Sequence, residues 1–271
     1  GINLELGTDA YHGLMINPSS GSVQPAKFVQ GMALAADRAG ADIHESTRVL
    51  GVDRVGNSAA RDGSRFIVKT EQGNIATQEI LLAANAWTGK IVPQFRQRVF
   101  PLESFIIATE PLPKELAEQL IPHNRVVYDT RNLLAYYRLS PDRRMVWGGE
   151  AAFVGASQKT NINILKRGMI RIFPALEDFQ IDYFWSGTLG LTLDENTHAG
   201  QMDGIWFSLG YVGHGVTLAT YLGQQIANGI LGNATNNPFA NAQIPLVPLI
   251  QFKGWIGNLG KAWYSLLDIL K

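Results

Sequence analysis

The clearest pattern in the chain is a short apolar run, a glycine-rich turn and a longer apolar stripe, in that order. Ile205 to Gly210 is almost entirely apolar, which is typical of a strand buried on both faces of an α/β sheet. From Val216 to Ile230, apolar residues recur at spacings of three and four, which predicts a helix. Gly210, Gly213 and Gly215 separate the two elements and allow positive φ angles close to a planar ligand. The N-terminus of this helix would stabilise negative charge on that ligand.

The same glycines have a simpler interpretation. Their spacing is G-x-x-G-x-G, whereas the dinucleotide-binding fingerprint is G-x-G-x-x-G. A plain strand-to-helix turn, with glycines that serve packing alone, is therefore the alternative.

Apolar spacing and turn residues predict further elements on both sides of this pattern. Pro25 and Gly40 frame one helix, whose apolar stripe includes Phe28 and Met32. The glycine-containing joints that follow favour an antiparallel meander. The order predicts a mixed fold, with an antiparallel-rich middle and an α/β piece near each end. The other predicted strands are Ile43 to Val55, Arg65 to Thr70, Ile75 to Ala83, Val99 to Thr109 and pieces of Leu133 to Gly149, and the other predicted helices are Lys114 to Leu120, Lys159 to Ile172 and an amphipathic Gly254 to Lys271.

Composition narrows the classes of function. Lys plus Arg and Asp plus Glu both number 23, so the formal net charge is zero and nothing favours nucleic acid as a partner. The 271 residues include no cysteine, which excludes disulfides, cysteine nucleophiles, zinc-thiolate sites and cysteinyl-linked cofactors. No apolar run approaches the roughly 20 residues of a membrane span, and no secretory signal opens the chain. We predict a cytoplasmic location and no transmembrane segment.

Several common catalytic motifs do not occur. The five histidines do not form H-E-x-x-H or another compact ligand spacing, so no metal site is predicted. The chain has neither the phosphate-binding G-x-x-x-x-G-K-[ST] loop nor a G-x-S-x-G nucleophile elbow. Kinase and serine hydrolase chemistry are therefore not favoured.

Four groups of segments, each weak by itself, carry a more specific signal in combination. They are Asn17 to Pro25 with Gly40 to Val49; Leu81 to Thr88; Tyr136-Tyr-Arg138 with Arg144 to Gly149; and Phe173-Pro174 with Trp185-Ser-Gly187 and Gly210 to Val216. In this order and spacing they resemble the D-amino-acid-oxidase-like family of FAD-dependent oxidoreductases, in the branch similar to γ-glutamylputrescine oxidoreductases. The resemblance extends over nearly the whole chain.

The resemblance implies a mixed α+β and α/β fold. It comprises the remainder of an FAD-binding Rossmann-like domain and a substrate domain built on an antiparallel sheet. Residues 1–83 would form partial segments of the FAD domain and residues 84–190 the substrate domain. Residues 191–235 would supply the closing strand and helix of the FAD domain, and residues 236–271 a tail with the amphipathic helix.

The resemblance also implies where non-covalently bound FAD would lie. Val49 would contact the adenine end through its backbone, and Ala84 and Asn85 would lie at a turn near the cofactor. The turn from Gly210 to Val216 would lie under the flavin ring, with the following helix directed at the N1/C2 carbonyl edge. This assigns cofactor contacts to Gly210, Tyr211, Gly213, His214, Gly215 and Val216.

One departure from the family concerns the pyrophosphate site. Members of the family begin with a strand and G-x-G-x-x-G, and this motif is absent here. We therefore expect that an N-terminal segment of roughly a third of a full protein is missing, given typical sizes of two-domain chains. The chain alone would bind FAD poorly, expose apolar surface and be inactive, unless a partner chain supplies that segment.

The second departure concerns the substrate. Some relatives hold an amino-acid carboxylate with arginines after the W-x-G segment and in the later turn, where this chain has Trp185-Ser-Gly187 followed by Thr188, and Val212-Gly213. Both arginines are absent, which favours an amine over a simple α-amino acid. The usual D-x-x-P-x-x-G pattern lacks its proline in Asp194 to Gly200, which leaves that turn and His198 without an assigned role.

The resemblance implies that the candidate catalytic residues lie on one predicted strand, around Tyr137. Tyr137 is the first candidate because relatives offer a tyrosine to the substrate from this strand, and Tyr136 and Arg138 are the others. Alternation would put Tyr136 and Arg138 on the face opposite Tyr137. Ordinary sheet residues are the alternative, since strands favour aromatics.

The implied reaction is oxidation of an amine. Hydride transfer to flavin N5 would give an imine that hydrolyses to an aldehyde, and oxygen or another acceptor would reoxidise the flavin. One alternative is a flavoprotein dehydrogenase of 2-hydroxy acids or glycerol phosphate, which shares the fold. Another is a non-catalytic fragment or one half of a split protein.

Overall fold

The computed structural model describes residues 2–55, 63–88, 91–131, 134–149, 156–240 and 243–246. Its helices are α1 (Pro25–Arg38), α2 (Pro93–Arg96), α3 (Lys114–Leu120), α4 (Gln158–Ile172) and α5 (Gly215–Ile230). Its strands are β1 (Val49–Arg54), β2 (Phe66–Thr70), β3 (Gly73–Thr77), β4 (Leu81–Leu82), β5 (Phe100–Thr109), β6 (Val127–Tyr128), β7 (Ala135–Leu139), β8 (Met145–Gly149), β9 (Ile181–Leu191), β10 (His198–Met202) and β11 (Ile205–Leu209). The predicted mixed fold with antiparallel sheets is confirmed.

The helices begin and end where the local signals predict. The Gln24 side chain accepts a hydrogen bond from the Lys27 N–H and Pro25 occupies the first turn of α1. Gly40 follows α1 with a φ of 91°, a conformation that suits glycine. Ser157 caps α4 by accepting from the Thr160 N–H. The predicted helix from Gly254 to Lys271 lies outside the described residues.

The described residues fall into two compact units, 2–22 with 103–187, and 23–102 with 188–246. The four domain ranges expected from the sequence stay a prediction. None of the helices in the described ranges is long and apolar enough to cross a membrane.

The first unit is organised by a five-stranded sheet with the order β6-β7-β8-β5-β9. One face of this sheet packs against α3 and α4 to form a continuous apolar core that includes Ile107, Met145, Leu165 and Met169. The start of the chain is part of this core. Leu6 is buried in it, and the buried Thr8 hydroxyl donates a hydrogen bond to the carbonyl oxygen of Ile172.

The second unit contains two three-stranded sheets. One is the predicted meander, β1-β2-β3, in which both pairs are antiparallel. The other has the order β10-β11-β4, with β10 antiparallel and β4 parallel to β11. Its core side chains include Leu82, Phe95, Phe207 and Leu209. In α1, by contrast, no residue is buried.

Two predicted strands differ from the observed ones. The predicted strand Ile75 to Ala83 is divided between β3, in the meander, and β4, in the other sheet. The predicted strand Ile43 to Val55 is a strand only from Val49 onward. A strand exists only where a neighbouring strand pairs with it, and β2 pairs with this segment only from Val49. Pairing is a non-local property that the apolar pattern does not encode.

Candidate functional site

The two parallel strands of the second unit bring two predicted segments to the same sheet edge. Trp206 and Phe207 of β11 pair with Leu81 and Leu82 of β4. Each strand therefore ends at the same edge, where β4 continues into Asn85 and its neighbours and β11 continues into the glycine turn. In α/β sheets, ligands bind outside the carboxyl ends of parallel strands.

The turn after β11 has an unusual concentration of positive φ angles. Gly210 has a φ of 74°, Val212 of 47° and Gly213 of 89°. For Val212 this conformation is strained, because its side chain is β-branched. The turn is closed by a hydrogen bond from the His214 N–H to the Tyr211 carbonyl. Strained backbone of this kind persists where the surrounding structure holds it, and it is concentrated at ligand sites.

Helix α5 begins at this turn without a side-chain cap. His214 occupies the N-cap position, and its side chain makes no capping hydrogen bond. The first N–H groups of a helix have no intrahelical acceptor and carry the positive end of the helix dipole. Val216 in the first turn is 50% exposed, and no atom of the described residues lies within 4 Å of the position a Cβ would take at Gly213. A flat ligand with a negatively charged edge fits this open, uncapped terminus.

Asn85 connects the two strand ends. Its Oδ1 accepts a hydrogen bond from the Gly210 N–H at 3.0 Å. Asn85 itself has a φ of 44°, and a Cβ on Gly190 would lie 2.7 Å from its Cγ. Only glycine at 190 leaves room for the Asn85 side chain.

A second loop supports the turn from the other side. The Thr192 hydroxyl donates to the Asn196 carbonyl at 2.7 Å, and a Cβ on Gly210 would lie 2.5 Å from Thr192 Cγ2. Glycine at 210 is thus required both by its φ angle and by this close contact. Thr192 and Gly190 were not predicted, because the contacts of Thr192 with Gly210 and of Gly190 with Asn85 join separate elements of the fold.

The loop without the expected proline is held by a histidine–aspartate pair. His198 is fully buried at the start of β10, and its Nε2 lies 3.1 Å from Asp194 Oδ1. Burial alone would raise the pKa of Asp194, but the hydrogen bond and charge of His198, together with hydrogen bonds from Asn196 and Thr192, lower it. His198 therefore has a structural position beside the turn that contains Thr192 and Asn196.

Val49 lies in the meander, at the start of β1. Among the described strands, β1 pairs with β2 alone and is an edge strand of the meander, and the register shifts between Val49 and Gly51. Backbone groups on the outer side of an edge strand are available to a ligand. Of the predicted cofactor residues, Ala84 and Asn85 share a sheet edge with the turn Gly210 to Val216, whereas Val49 belongs to the meander.

Tyr137, the first candidate catalytic residue, points into the core of the first unit. It is 2% exposed, and its ring stacks on Trp147 with centroids 4.6 Å apart. Its hydroxyl donates to the Tyr11 hydroxyl at 3.2 Å. Burial raises the pKa of Tyr137 well above its usual range, and the neighbouring Tyr11 adds to this effect. In this position the ring serves packing, and a catalytic role for it stays a prediction.

Tyr136 lies on the other face of the same sheet. It pairs with Gly148 of β8, and its hydroxyl lies 2.7 Å from the Ser104 hydroxyl of β5. A Cβ on Gly148 would lie 2.7 Å from the Tyr136 hydroxyl oxygen, so the tyrosine lies across the glycine. Arg138 follows two residues later, on the face that alternation gives to Tyr136.

Ser104 and Gly148, which contact Tyr136 in this arrangement, were not predicted from the sequence. A glycine inside a strand signals close approach of another group, which is the signal that Gly148 carried. Within the described parts of the chain, no group of three or more His, Asp or Glu residues could hold a metal ion.

The sequence matches a family of known proteins and is similar to several curated relatives. A family model described as FAD dependent oxidoreductase matches residues 3–228. The "Probable oxidoreductase OrdL" of Haemophilus influenzae is 34% identical over 98% of this chain and 61% of its own length. The "Gamma-glutamylputrescine oxidoreductase" of Escherichia coli K12 is 32% identical over 99% of this chain and 62% of its own length. The chain thus spans about three fifths of the length of the curated relatives it matches.

Two solved structures with a similar fold carry the names of enzymes that act on amino acids. L-proline dehydrogenase from P. horikoshii has a TM-score of 0.69 at 22% identity, covering 82% of this chain and 59% of that protein. Glycine oxidase from Geobacillus kaustophilus has a TM-score of 0.64 at 19% identity, covering 79% of this chain and 56% of that protein. At these identities the likeness concerns the fold.

Proposed function

Because this chain belongs to the family of FAD-dependent oxidoreductases, as its motifs predicted, we propose that it contributes to an FAD-dependent oxidoreductase that acts on amines. The observation that carries the proposal is the strained glycine turn at the carboxyl ends of β4 and β11, which leads into the uncapped N-terminus of α5. A turn of this kind suits the negatively charged edge of a reduced flavin.

In this proposal, two sets of residues hold non-covalently bound FAD. Ala84, Asn85 and the turn from Gly210 to Val216 form the flavin side, with Tyr211, Gly213, His214 and Gly215 supplying its backbone. Val49 offers backbone groups at an open strand edge to the adenine. When bound, FAD supplies a two-electron acceptor for the hydride on the carbon that carries the amine, and oxygen or another acceptor then restores it.

In this proposal, the N-terminus of α5 stabilises negative charge on the flavin. Negative charge that develops on the cofactor during the reaction is stabilised by the N–H groups of the first helical turn. These groups are preorganised, because the positive φ angles of Gly210, Val212 and Gly213 fix the entry into the helix. The chain itself therefore contributes electrostatic stabilisation, whichever amine reacts.

Two observations support an amine as substrate. The chain has Thr188 and Val212-Gly213 where some family members carry carboxylate-binding arginines. A relative at 32% identity is named for an amine, γ-glutamylputrescine. We infer that the sheet face carrying Tyr136 and Arg138 meets the substrate, and that Tyr137 supports this strand from the core side.

The pyrophosphate of FAD needs a further segment in this proposal. The fingerprint G-x-G-x-x-G does not occur among the 271 residues. We propose that a segment bearing this fingerprint, in the same polypeptide or in a partner, completes the cofactor site. Without such a segment, the chain would be a non-catalytic fragment.

The test is FAD uptake, measured by the visible absorption spectrum of the chain alone and together with a separately expressed fingerprint-bearing segment of a relative. We expect flavin bands with vibronic structure in the completed protein and bleaching by amines, rather than by 2-hydroxy acids or glycerol phosphate. Bleaching by a hydroxy acid alone would reassign the substrate class. Failure of both forms to take up FAD would contradict the proposed function.

A matched pair of variants tests whether the turn is the site. Gly213 has a φ of 89° and Gly40 a φ of 91°, and within the described part of the chain neither has an atom within 4 Å of a Cβ position. Gly213→Asp puts a negative charge beside the α5 N-terminus and should weaken FAD binding at least about tenfold, equivalent to about 1.4 kcal/mol. Gly40→Asp carries the same backbone strain and should leave binding unchanged. Equal effects of the two variants would argue against this location of the flavin.

A further inference from the structure

Asn85 combines two features that a simple turn residue does not need. Its backbone has a φ of 44°, in the left-handed region that glycine and asparagine tolerate best. Its side chain points toward the end of the neighbouring strand β11, where Oδ1 accepts a hydrogen bond from the Gly210 N–H at 3.0 Å. The bond spans 125 residues of sequence and joins the end of β4 to the end of β11.

Gly210, whose N–H donates this hydrogen bond, is the first residue of the turn from Gly210 to Val216. Gly210 has a φ of 74° and crowds Thr192 on its other side. Its backbone is therefore held between the Asn85 amide and the Thr192 side chain. Because the next residues lead directly into α5, the direction of the helix N-terminus depends on how firmly Gly210 is held.

Gly190 fixes the position of the Asn85 side chain. A Cβ on Gly190 would lie 2.7 Å from Asn85 Cγ and 3.0 Å from the Ala86 nitrogen. The absence of a side chain at 190 thus creates the space in which the Asn85 amide lies. Three segments that are far apart in the sequence meet at this one side chain.

We propose that Asn85, which lies on the flavin side of the site, is a positioning residue for the flavin and acts through the hydrogen bond that holds the Gly210 N–H. By holding the turn, it keeps the first N–H groups of α5 directed at the flavin edge, which favours the negatively charged reduced flavin. Its replacement lowers the affinity for FAD and makes the reduction potential of the bound flavin more negative. This inference rests on the proposed function.

The first measurement does not require FAD. Amide hydrogen exchange over residues 210–214 of the FAD-free chain should be at least about threefold faster in Asn85→Ala and Asn85→Gly, since both lose the acceptor. Asn85→Asp keeps an acceptor in the same place and should restore slow exchange. Gly190→Ala, which displaces the amide, should resemble Asn85→Gly. Unchanged exchange in all four variants would overturn the proposal.

The second measurement uses the FAD-bound, completed protein. Asn85→Gly relieves the backbone strain but loses the hydrogen bond to the Gly210 N–H. A higher dissociation constant for FAD and a more negative flavin reduction potential in this variant would therefore be due to the loss of the side chain. For Asn85→Ala we expect a rise of about tenfold in that dissociation constant. If Asn85→Gly matches the wild type in affinity and potential, Asn85 does not position the flavin.

A control separates this effect from the general cost of replacing asparagine at a positive φ. Asn124 has a φ of 48° in an exposed turn of the first unit. Asn124→Ala should leave hydrogen exchange at 210–214, FAD affinity and the flavin potential unchanged; effects as large as those of Asn85→Ala would overturn the assignment. Lack of FAD uptake by the wild type contradicts the proposed function, whereas the exchange experiment alone decides whether Asn85 anchors the turn.

Discussion

Two glycines with the same backbone angle allow the packing contribution of the turn to be measured. Gly210 and Gly232 both have a φ of 74°. At Gly232 none of the residues that the structure describes has an atom within 4 Å of a Cβ position. At Gly210 the Cβ would lie 2.5 Å from Thr192 Cγ2 and 3.2 Å from the Asn196 carbonyl oxygen. Alanine at either position introduces the same strain, so the difference between the variants isolates the contact.

The magnitudes follow from these distances. A left-handed conformation costs an L-residue about 1–2 kcal/mol, partly offset because alanine restricts the unfolded chain. Gly232→Ala should therefore lower the free energy of unfolding by about 1 kcal/mol. Gly210→Ala adds an overpacked contact worth about 1–3 kcal/mol. A difference of about 2 kcal/mol corresponds to about 4–8 °C in Tm at about 2–4 °C per kcal/mol.

The assay is thermal and urea unfolding of the two variants side by side. Thr192→Ser supplies the internal check, because it removes Cγ2 and keeps the hydroxyl that donates to Asn196. In the background of Gly210→Ala it should recover part of the lost stability, and in the wild type it should not stabilise the protein. Equal losses for Gly210→Ala and Gly232→Ala, or no recovery by Thr192→Ser, would refute the reasoning.

Two further predictions concern the Tyr136 face and the buried histidine. Gly148→Ala should displace Tyr136 and break its hydrogen bond to Ser104, lowering the free energy of unfolding by about 1–3 kcal/mol; unchanged urea unfolding would contradict the close contact. Because the pKa of Asp194 is lowered in the folded chain, its stabilising effect is present above the unfolded Asp pKa of about 3.9 and is lost as the pH falls below it. Asp194→Asn should therefore reduce stability at neutral pH and flatten the acid limb of a urea-unfolding profile, and an unchanged acid limb would show that the His198 pair does not contribute.

Elements with local signals were predictable from the sequence. The structure has α3 from Lys114 to Leu120, as predicted, and α4 begins one residue before the predicted Lys159. Periodicity, caps and proline stops are encoded within a few residues of each helix end. The strand from Ile205 followed by a glycine turn and a helix was predictable for the same reason.

Features that depend on distant partners were not predictable in this way. Alternation gave opposite faces to Tyr136 and Tyr137, but only the packing of Trp147 on Tyr137 identifies which face is the core. The contact of Asn85 with Gly210 joins residues 125 positions apart. Propensity and spacing carry no information on such pairs, so the support of the turn emerged only from the three-dimensional structure.

The burial of the segment that contains Leu6 and Thr8 has a consequence for the order of events in folding. The hydroxyl of Thr8 bonds the carbonyl of Ile172, 164 residues later, and Leu6 occupies the core formed with α3 and α4. The residues up to Ile172 must therefore leave the ribosome before the segment with Leu6 and Thr8 can pack in its native position. Contacts between residues so far apart in the sequence slow folding, and until they form, Leu6 stays exposed to solvent.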